Sequence, residues 1–206
     1  MDLYNHFLLP RLTSWVCSTE DMGSRRQRVV PRAHGRVVEL GAGSGHNLPY
    51  YDGRAVEHVW AVEPSHEMWR LASSRRAQSV PTVEHVPTSA ESIPLGDSVA
   101  DTVVVTWALC TIPHPELALA EARRLLKPGG LLLFAEHGRA PDASVRRWQD
   151  RLNPVWTHFS GGCNLNRDVP GLMTRAGFTL EDVEAGYAPG PKPLSFHFLG
   201  SARKPT

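Results

Sequence analysis

Short apolar runs separated by polar turns recur along the chain, and the first strong run leads directly into glycines. Residues 37–40 are apolar except for Glu39, and Gly41, Gly43 and Gly45 follow at alternate positions. Glycine accepts a positive φ and leaves space beside the backbone, so a strand followed by such a loop can approach a ligand closely. The pattern predicts a ligand-binding loop at the end of the first strand.

A second apolar run ends in an acidic residue. Residues 59–62 are apolar, Glu63 and Pro64 follow them, and a helix is expected over 65–77. Glu63 follows the glycines at close to the roughly 20-residue spacing at which a strand-end carboxylate reaches a ribose diol. The two runs together predict a nucleoside-binding site.

The remaining pattern predicts an α/β sheet. The clearest buried strand is 101–107, a β-branched run with no charge after its first residue, as expected for a strand covered on both faces. We predict a seven-stranded, mostly parallel sheet with one antiparallel C-terminal strand and helices on both faces, a Rossmann-like three-layer sandwich. The other predicted elements are a short helix from about Asn47, strand 80–86, helix 116–127, strand 131–136, and strands 178–187 and 194–202 joined by a Pro/Gly-rich turn.

Composition narrows the class of protein. The 206 residues suit one α/β domain, 1–206, and 22 Lys+Arg against 21 Asp+Glu give a net charge of +1, which argues against nucleic acid as a partner. Three cysteines without a C-x-x-C pair argue against a disulfide framework and a metal site. No apolar run reaches the 18 or more residues of a membrane span, and the N-terminus lacks a secretory signal, so we expect a cytoplasmic protein without stable membrane insertion. The composition leaves the oligomeric state open.

The glycine spacing separates two cofactor classes. Dinucleotide enzymes carry G-x-G-x-x-G, whereas here the third glycine comes one residue earlier and position 46 is histidine. The pattern Glu39-x-Gly41-x-Gly43-x-Gly45 instead resembles motif I of class I S-adenosylmethionine methyltransferases, and residues 124–130 resemble their R-x-L-K-P-G-G turn. The resemblance implies S-adenosylmethionine as cofactor rather than a nicotinamide.

The resemblance also implies further cofactor contacts. Met68 would pack on the adenine ring, although it could equally be core filler. Residues 88–95 resemble the family's G-D-A-E-x-L-P-F loop, whose acidic residue holds the adenine amine. Ser89 occupies the position of that acidic residue here, so Ser89, Ala90 and Glu91 are all candidates for binding the adenine amine. Trp107 falls at the carboxyl end of its strand, where ligands bind in open α/β sheets.

The C-terminal half carries a narrower resemblance. Glu136-His137, residues 152–156 and residues 162–167 resemble the E-H, D-P-x-W and D-G-C-N-L-T-R segments of lipid-droplet and microsomal thiol methyltransferases. The resemblance covers about 36–204, with 36–136 as cofactor-binding half and 137–206 as acceptor-side half. It departs in the N-terminal helical extension 1–30, because those proteins carry a long hydrophobic anchor and this chain has an amphipathic segment, 3–17, interrupted by Pro10. We expect that segment either to lie over the active site or to cover one sheet edge.

These features imply a methyltransferase acting on a small, hydrophobic acceptor, and a thiol is one candidate. The alternatives are a lipid-headgroup or quinone-type methyltransferase and a non-catalytic S-adenosylmethionine-binding protein. His137 is the first candidate for a general base and His114 the second, since both follow strands of the sheet; either ring could instead be merely packed or exposed. Cys163 is expected to be a packed thiol, because methyl transfer needs no covalent intermediate.

Overall fold

A computed structural model describes residues 8–79 and 81–206 of the chain. Residues 3–7 of the predicted amphipathic segment and Val80 at the start of the predicted third strand lie outside the described residues.

Seven strands form one sheet in the order β3-β2-β1-β4-β5-β7-β6. Strands β1 to β5 pair in parallel, and β7 runs antiparallel to both β5 and β6. The predicted seven-stranded sheet with one antiparallel C-terminal strand is therefore confirmed. The strands are β1 Gly35–Leu40, β2 Val56–Val62, β3 Thr82–Val86, β4 Ala100–Thr106, β5 Leu126–His137, β6 Thr179–Tyr187 and β7 Phe196–Arg203.

The helices differ from the prediction mainly in their limits. Only a 3₁₀ turn, Leu48–Tyr50, follows Asn47, and the predicted helix 65–77 is divided at Ala72, whose side chain is fully buried. The predicted helix 116–127 ends at Leu125, because Pro128 disfavours a helical Lys127 and the chain is already extended at Leu126. The α-helices are α1 Leu9–Cys17, α2 Glu20–Val29, α3 His66–Leu71, α4 Ser73–Ala77, α5 Pro115–Leu125, α6 Ala143–Phe159, α7 Val169–Arg175 and α8 Lys192–Ser195.

Successive strand residues face opposite sides of the sheet, and each side is buried under helices. Val38 and Val103 belong to a core that includes residues of α5 and α7, whereas Val37 and Val104 belong to a second core with Val29 of α2. This arrangement confirms the predicted three layers.

The N-terminal segment is helical, but Pro10 does not kink it. Pro10 lies in the first turn of α1, where the missing N–H has no helical partner to lose. The chain breaks instead between α1 and α2, at Ser18 and Thr19. Among the described helices, none combines the length and apolar character needed to cross a membrane.

Candidate active site

A cavity of about 330 Å³ lies at the carboxyl ends of β1, β2 and β4. The neighbours of β1 in the sheet are β2 on one side and β4 on the other, so the chain order reverses there, which is where open α/β sheets bind ligands. Its wall is formed by Leu9, Pro10, Thr13, Cys17, Arg26, Glu39, Gly41, Ala42, Gly43, Ser44, His46, Asn47, Glu63, Ser65, Met68, Thr106, Trp107, Ala108, Thr111, Ser160 and Gly161.

The glycine loop forms one wall of this cavity, and its glycines have a backbone conformation that residues with a side chain rarely adopt. Gly41, Gly43 and Gly45 have φ values of +69°, +55° and +73°. A Cβ atom on Gly41 would lie 2.5 Å from the Cβ of Ala108. Only glycine at position 41 therefore allows the end of β1 and the loop after β4 to lie this close together. A Cβ on Gly43 would lie 3.3 Å from Cε of Met68, which places Met68 beside the loop in the cavity wall.

Glu63 holds the glycine loop from the end of β2. Its Oε2 accepts a hydrogen bond from the Gly43 backbone N–H at 2.9 Å, and its Oε1 accepts one from the Ser65 N–H at 2.8 Å. Burial raises the pKa of Glu63, and these two backbone N–H groups lower it in part. A carboxylate has about four acceptor positions, so Glu63 retains acceptor capacity for hydroxyl groups of a ligand.

Glu39 is the centre of a buried hydrogen-bond network behind the loop. It accepts hydrogen bonds from Asn47 Nδ2 at 2.9 Å and from the Tyr51 hydroxyl at 2.8 Å. Asn47 Nδ2 also donates to Thr106 Oγ1 at 3.0 Å, and Asn47 Oδ1 accepts from Arg26 Nε at 3.0 Å. Burial raises the pKa of Glu39 to about 7. The sequence indicated Glu39, but no motif indicated Asn47, Tyr51 or Arg26.

Arg26 joins the N-terminal helices to the opposite wall of the cavity. Its guanidinium lies 4.7 Å from the ring centroid of Trp107, and its Nη1 donates to the Cys17 carbonyl at 2.7 Å. Trp107 has a φ of +48°, an uncommon value for a residue with a side chain, and its backbone N–H donates to the Ala135 carbonyl at 2.8 Å. The site thus holds Trp107 in a strained conformation at the cavity wall.

Helix α1 covers the cavity. Leu9, Pro10, Thr13 and Cys17 belong to the cavity wall. His46 follows the glycine loop, and its Nε2 atom lies 3.0 Å from the carbonyl oxygen of Ser14 in α1. Of the two expectations for the N-terminal segment, the structure shows the one in which it lies over the site.

The predicted adenine loop does not border the cavity. Ser89 Oγ donates to Glu91 Oε2 at 2.7 Å, and Glu91 Oε1 accepts from the His114 backbone N–H at 2.7 Å. Within the described part of the chain, the cavity wall does not include the predicted site residues Gly45, Pro64, Ser89, Ala90, Glu91 and the exposed His114. Their cofactor and catalytic roles stay predictions.

His137 lies in a cluster with two cysteines. His137 Nε2 is 2.9 Å from Cys163 Sγ, and the ligand atoms of Cys110, His137 and Cys163 all lie within 4.8 Å of one another. Hydrogen bonding to Cys110 and the neighbouring His137 together lower the pKa of Cys163, against the effect of burial. The same contact and burial raise the pKa of Cys110. Burial alone would lower the pKa of His137, but Cys163 outweighs it and raises that pKa.

This cluster lies next to the cavity wall. Ala108 and Thr111, on either side of Cys110, and Gly161, close to Cys163 in sequence, all line the cavity. His137 itself is not part of the wall within the described residues.

Glu136 fixes the loop that carries Cys110. Its Oε1 accepts hydrogen bonds from the backbone N–H groups of Ala108 at 2.7 Å and Leu109 at 3.0 Å. Burial raises the pKa of Glu136 to about 7.

Comparison with known proteins decides the family. A methyltransferase domain family matches residues 38–134. The chain is 32% identical over 173 residues to thiol S-methyltransferase TMT1B of Rattus norvegicus, covering 82% of this chain and 70% of that protein. The chain belongs to the S-adenosylmethionine-dependent methyltransferases. The methyltransferase is also 30% identical over 118 residues to a phosphatidylethanolamine N-methyltransferase of Cereibacter sphaeroides, covering 55% of this chain and 57% of that one.

A solved structure supports the same fold for this methyltransferase. An S-adenosylmethionine-dependent methyltransferase from Mesorhizobium loti superimposes with a TM-score of 0.65 at 18% identity, covering 90% of this chain and 98% of that one. At this identity the similarity concerns the fold alone.

The cavity of the methyltransferase fits its cofactor. Glu63 offers acceptors at the end of β2, Gly43 leaves space that a side chain would fill, and Glu39 and Glu63 place two carboxyl groups near a ligand that carries a sulfonium and an ammonium. Among the described residues, the buried indole N–H of Trp107 in this wall finds no acceptor. S-adenosylmethionine supplies an activated methyl group, and the residues of this wall would bind and orient it.

Proposed function

We propose that this methyltransferase transfers the methyl group to the sulfur of a small, hydrophobic thiol. The observation that carries the proposal is the match to a thiol S-methyltransferase over 82% of the chain, which extends well beyond the cofactor-binding half. The match to the phosphatidylethanolamine enzyme covers 55% of the chain and supports a lipid-headgroup acceptor less strongly.

The cavity supports a small acceptor. Its volume of about 330 Å³ is at the lower end of the range of small-molecule sites, and α1 lies over it. Methyl transfer from a sulfonium is an in-line displacement, so the main task of the protein is to hold donor and acceptor in line and to exclude water. The Glu63-anchored glycine loop would orient the cofactor, while α1 and Trp107 would close the cavity.

The acceptor is proposed to bind at the end of the cavity formed by Thr111, Ser160 and Gly161, next to Cys110 and Cys163. A thiol with a pKa near 8.5 is mostly protonated at neutral pH, so a group that removes the proton raises the rate. His137 is our first candidate for the residue that activates the acceptor, because it contacts Cys163 beside this wall. His114 is the second, and its exposed position at the start of α5 makes it the weaker one.

A panel of acceptors tests the proposal. Purified protein is incubated with S-adenosylmethionine and an alkyl thiol, a phenol, an amine, a quinol or phosphatidylethanolamine vesicles, and release of S-adenosylhomocysteine is measured. We expect turnover with the thiol above all the others. Preferred turnover with the vesicles or the quinol would replace the thiol assignment with the lipid-headgroup or quinone alternative.

A pair of histidine variants tests the activating residue. His137→Gln should lower turnover by about 100-fold, the usual scale for losing proton removal from an acceptor. His158→Gln, an exposed histidine on α6, is the matched control and should keep wild-type turnover. Equal turnover of the two variants would remove His137 from the site.

A further inference from the structure

Three sulfur and nitrogen ligands converge from three separate segments of the fold. Cys110 follows β4, His137 ends β5 and Cys163 follows α6. Their ligand atoms lie within 4.8 Å of one another, although the cysteines are 53 residues apart in the sequence. Cysteines this far apart in sequence predict no metal site, but the fold brings Cys110 and Cys163 together.

We propose that Cys110, His137 and Cys163 bind a zinc ion whose fourth position is open towards the acceptor end of the cavity. Two cysteines and one histidine with an open position are a ligand set of catalytic zinc sites. Magnesium and calcium prefer oxygen ligands, so the cluster does not suit them.

The contact between His137 and Cys163 needs only a small adjustment to hold the ion, and Cys110 would complete the set from within 4.8 Å. With Zn–S near 2.3 Å and Zn–N near 2.0 Å in a tetrahedron, a sulfur and a nitrogen ligand lie about 3.5 Å apart. His137 Nε2 and Cys163 Sγ are 2.9 Å apart, a hydrogen-bonded distance. Zinc would replace the shared proton, and the two groups would separate by about half an ångström.

The backbone around the cysteines is fixed by contacts outside the cluster. The Cys110 carbonyl accepts hydrogen bonds from the Asn164 backbone N–H at 2.8 Å and from Asn164 Nδ2 at 3.1 Å, which joins the two cysteine segments. Arg167 Nη1 donates to the carbonyls of Leu109 and, at 2.7 Å, Ile112. The two cysteine segments are therefore held together before any ion binds.

The charges of the site are balanced with zinc bound. Two thiolates offset the charge of the ion, and His137 binds as the neutral ring. Of the other charged groups near the cluster, Arg167 is a cation and Glu136 is an acid, and they interact with each other as well as with the cysteines. The ion thus adds no uncompensated charge to a largely buried place.

The role in the reaction rests on the proposed function. With zinc bound, His137 would activate the acceptor as a ligand of the ion and would not itself remove the proton. An acceptor thiol would occupy the fourth position as a thiolate, and its proton would leave to solvent as the sulfur binds. The sulfur lone pair then forms the new S–CH₃ bond while the bond between the methyl carbon and the sulfonium sulfur breaks, giving a neutral thioether. A thioether is a weaker ligand for zinc than a thiolate, so the product would leave.

Metal content provides the test. The full chain is loaded with zinc, dialysed and analysed by mass spectrometry for metal per chain, and cobalt is substituted to read thiolate-to-metal absorption. We expect about one zinc per chain in wild type and a loss of at least tenfold in zinc affinity for Cys110→Ser and Cys163→Ser. Cys17→Ser, the third cysteine and not part of the cluster, should retain full zinc binding. Thermal unfolding and S-adenosylmethionine binding of each variant show whether it is folded.

The outcomes separate this inference from the proposed function. Equal zinc binding in all three serine variants, no thiolate-to-cobalt absorption in wild type, or a Cys110–Cys163 disulfide in the protein purified under reducing conditions would overturn the zinc site. Zinc bound as expected without thiol methylation would leave the site in place and overturn the thiol assignment. Thiol methylation that is the same in the chelator-stripped and the zinc-loaded enzyme would overturn the role of zinc in the reaction.

Discussion

Replacing Glu39 by glutamine should change the pH dependence of folding stability. Burial raises the pKa of Glu39 from 4.5 to about 7, so the folded protein holds a proton there that the unfolded chain releases. The contribution of Glu39 to stability is therefore fully present below pH 4.5 and is lost as the pH rises to about 7. A shift of this size corresponds to about 3 kcal/mol.

Glutamine keeps the shape of the site. Its carbonyl can accept from Asn47 Nδ2, as Glu39 Oε1 does, and its amide can donate to the Tyr51 oxygen once that hydroxyl turns. Because glutamine does not titrate, the stability of Glu39→Gln relative to wild type should rise by about 3 kcal/mol between pH 4.5 and pH 8.

Urea unfolding at several pH values and constant ionic strength measures this difference. Glu57→Gln, at an exposed position of β2 outside the network, is the matched control for loss of a carboxylate. A stability difference for Glu39→Gln that varies with pH no more than that of Glu57→Gln would show that Glu39 is not buried as a carboxyl group within this network.

Further predictions concern the glycine loop and its partners. Gly41→Ala should lower the free energy of unfolding by about 2 to 4 kcal/mol, because a positive φ and contact with Ala108 both oppose a side chain. Gly43→Ala should lower it by about 1 to 2 kcal/mol, because the nearest side-chain atom is the flexible end of Met68. Chemical denaturation measures both free energies. Glu63→Ala should weaken S-adenosylmethionine binding by about 1.5 to 3 kcal/mol, and Ser89→Ala should weaken it by less, as measured by calorimetry. A larger loss for Ser89→Ala would show that the assignment of Glu63 to the ribose and Ser89 to the adenine of the cofactor is wrong. Arg26→Met should raise the cofactor dissociation rate in stopped-flow experiments, because it removes the hydrogen bonds that join Cys17 of α1 and Asn47 to Arg26. An unchanged rate would show that α1 does not retain the cofactor.

The fold and the site could be predicted from the sequence where a local pattern determines the structure. The Gly41, Gly43 and Gly45 spacing and the acid after β2 led to the loop and the carboxylate that the structure joins through the Gly43 N–H. Backbone conformation depends on glycine at those positions, so the sequence carries the information locally. The alternation of the last two strands likewise indicated the antiparallel strand β7.

Side-chain contacts across the fold were beyond the sequence. Asn47 has no motif of its own, and its importance comes from Arg26, Glu39 and Thr106, which reach it from three elements. The cysteine and histidine cluster was missed for the same reason, because its members meet only once β4, β5 and the segment after α6 are in place. Helix α6 was not predicted as an element; Pro154 lies inside it, where local propensity would favour a break.

Isothermal titration calorimetry shows whether the cavity beneath α1 binds S-adenosylmethionine. We predict one S-adenosylmethionine bound per chain in the micromolar range, weakened by Glu63→Ala, and no heat from NAD. Tight binding of NAD with no heat from S-adenosylmethionine would show that the cavity is a dinucleotide site instead.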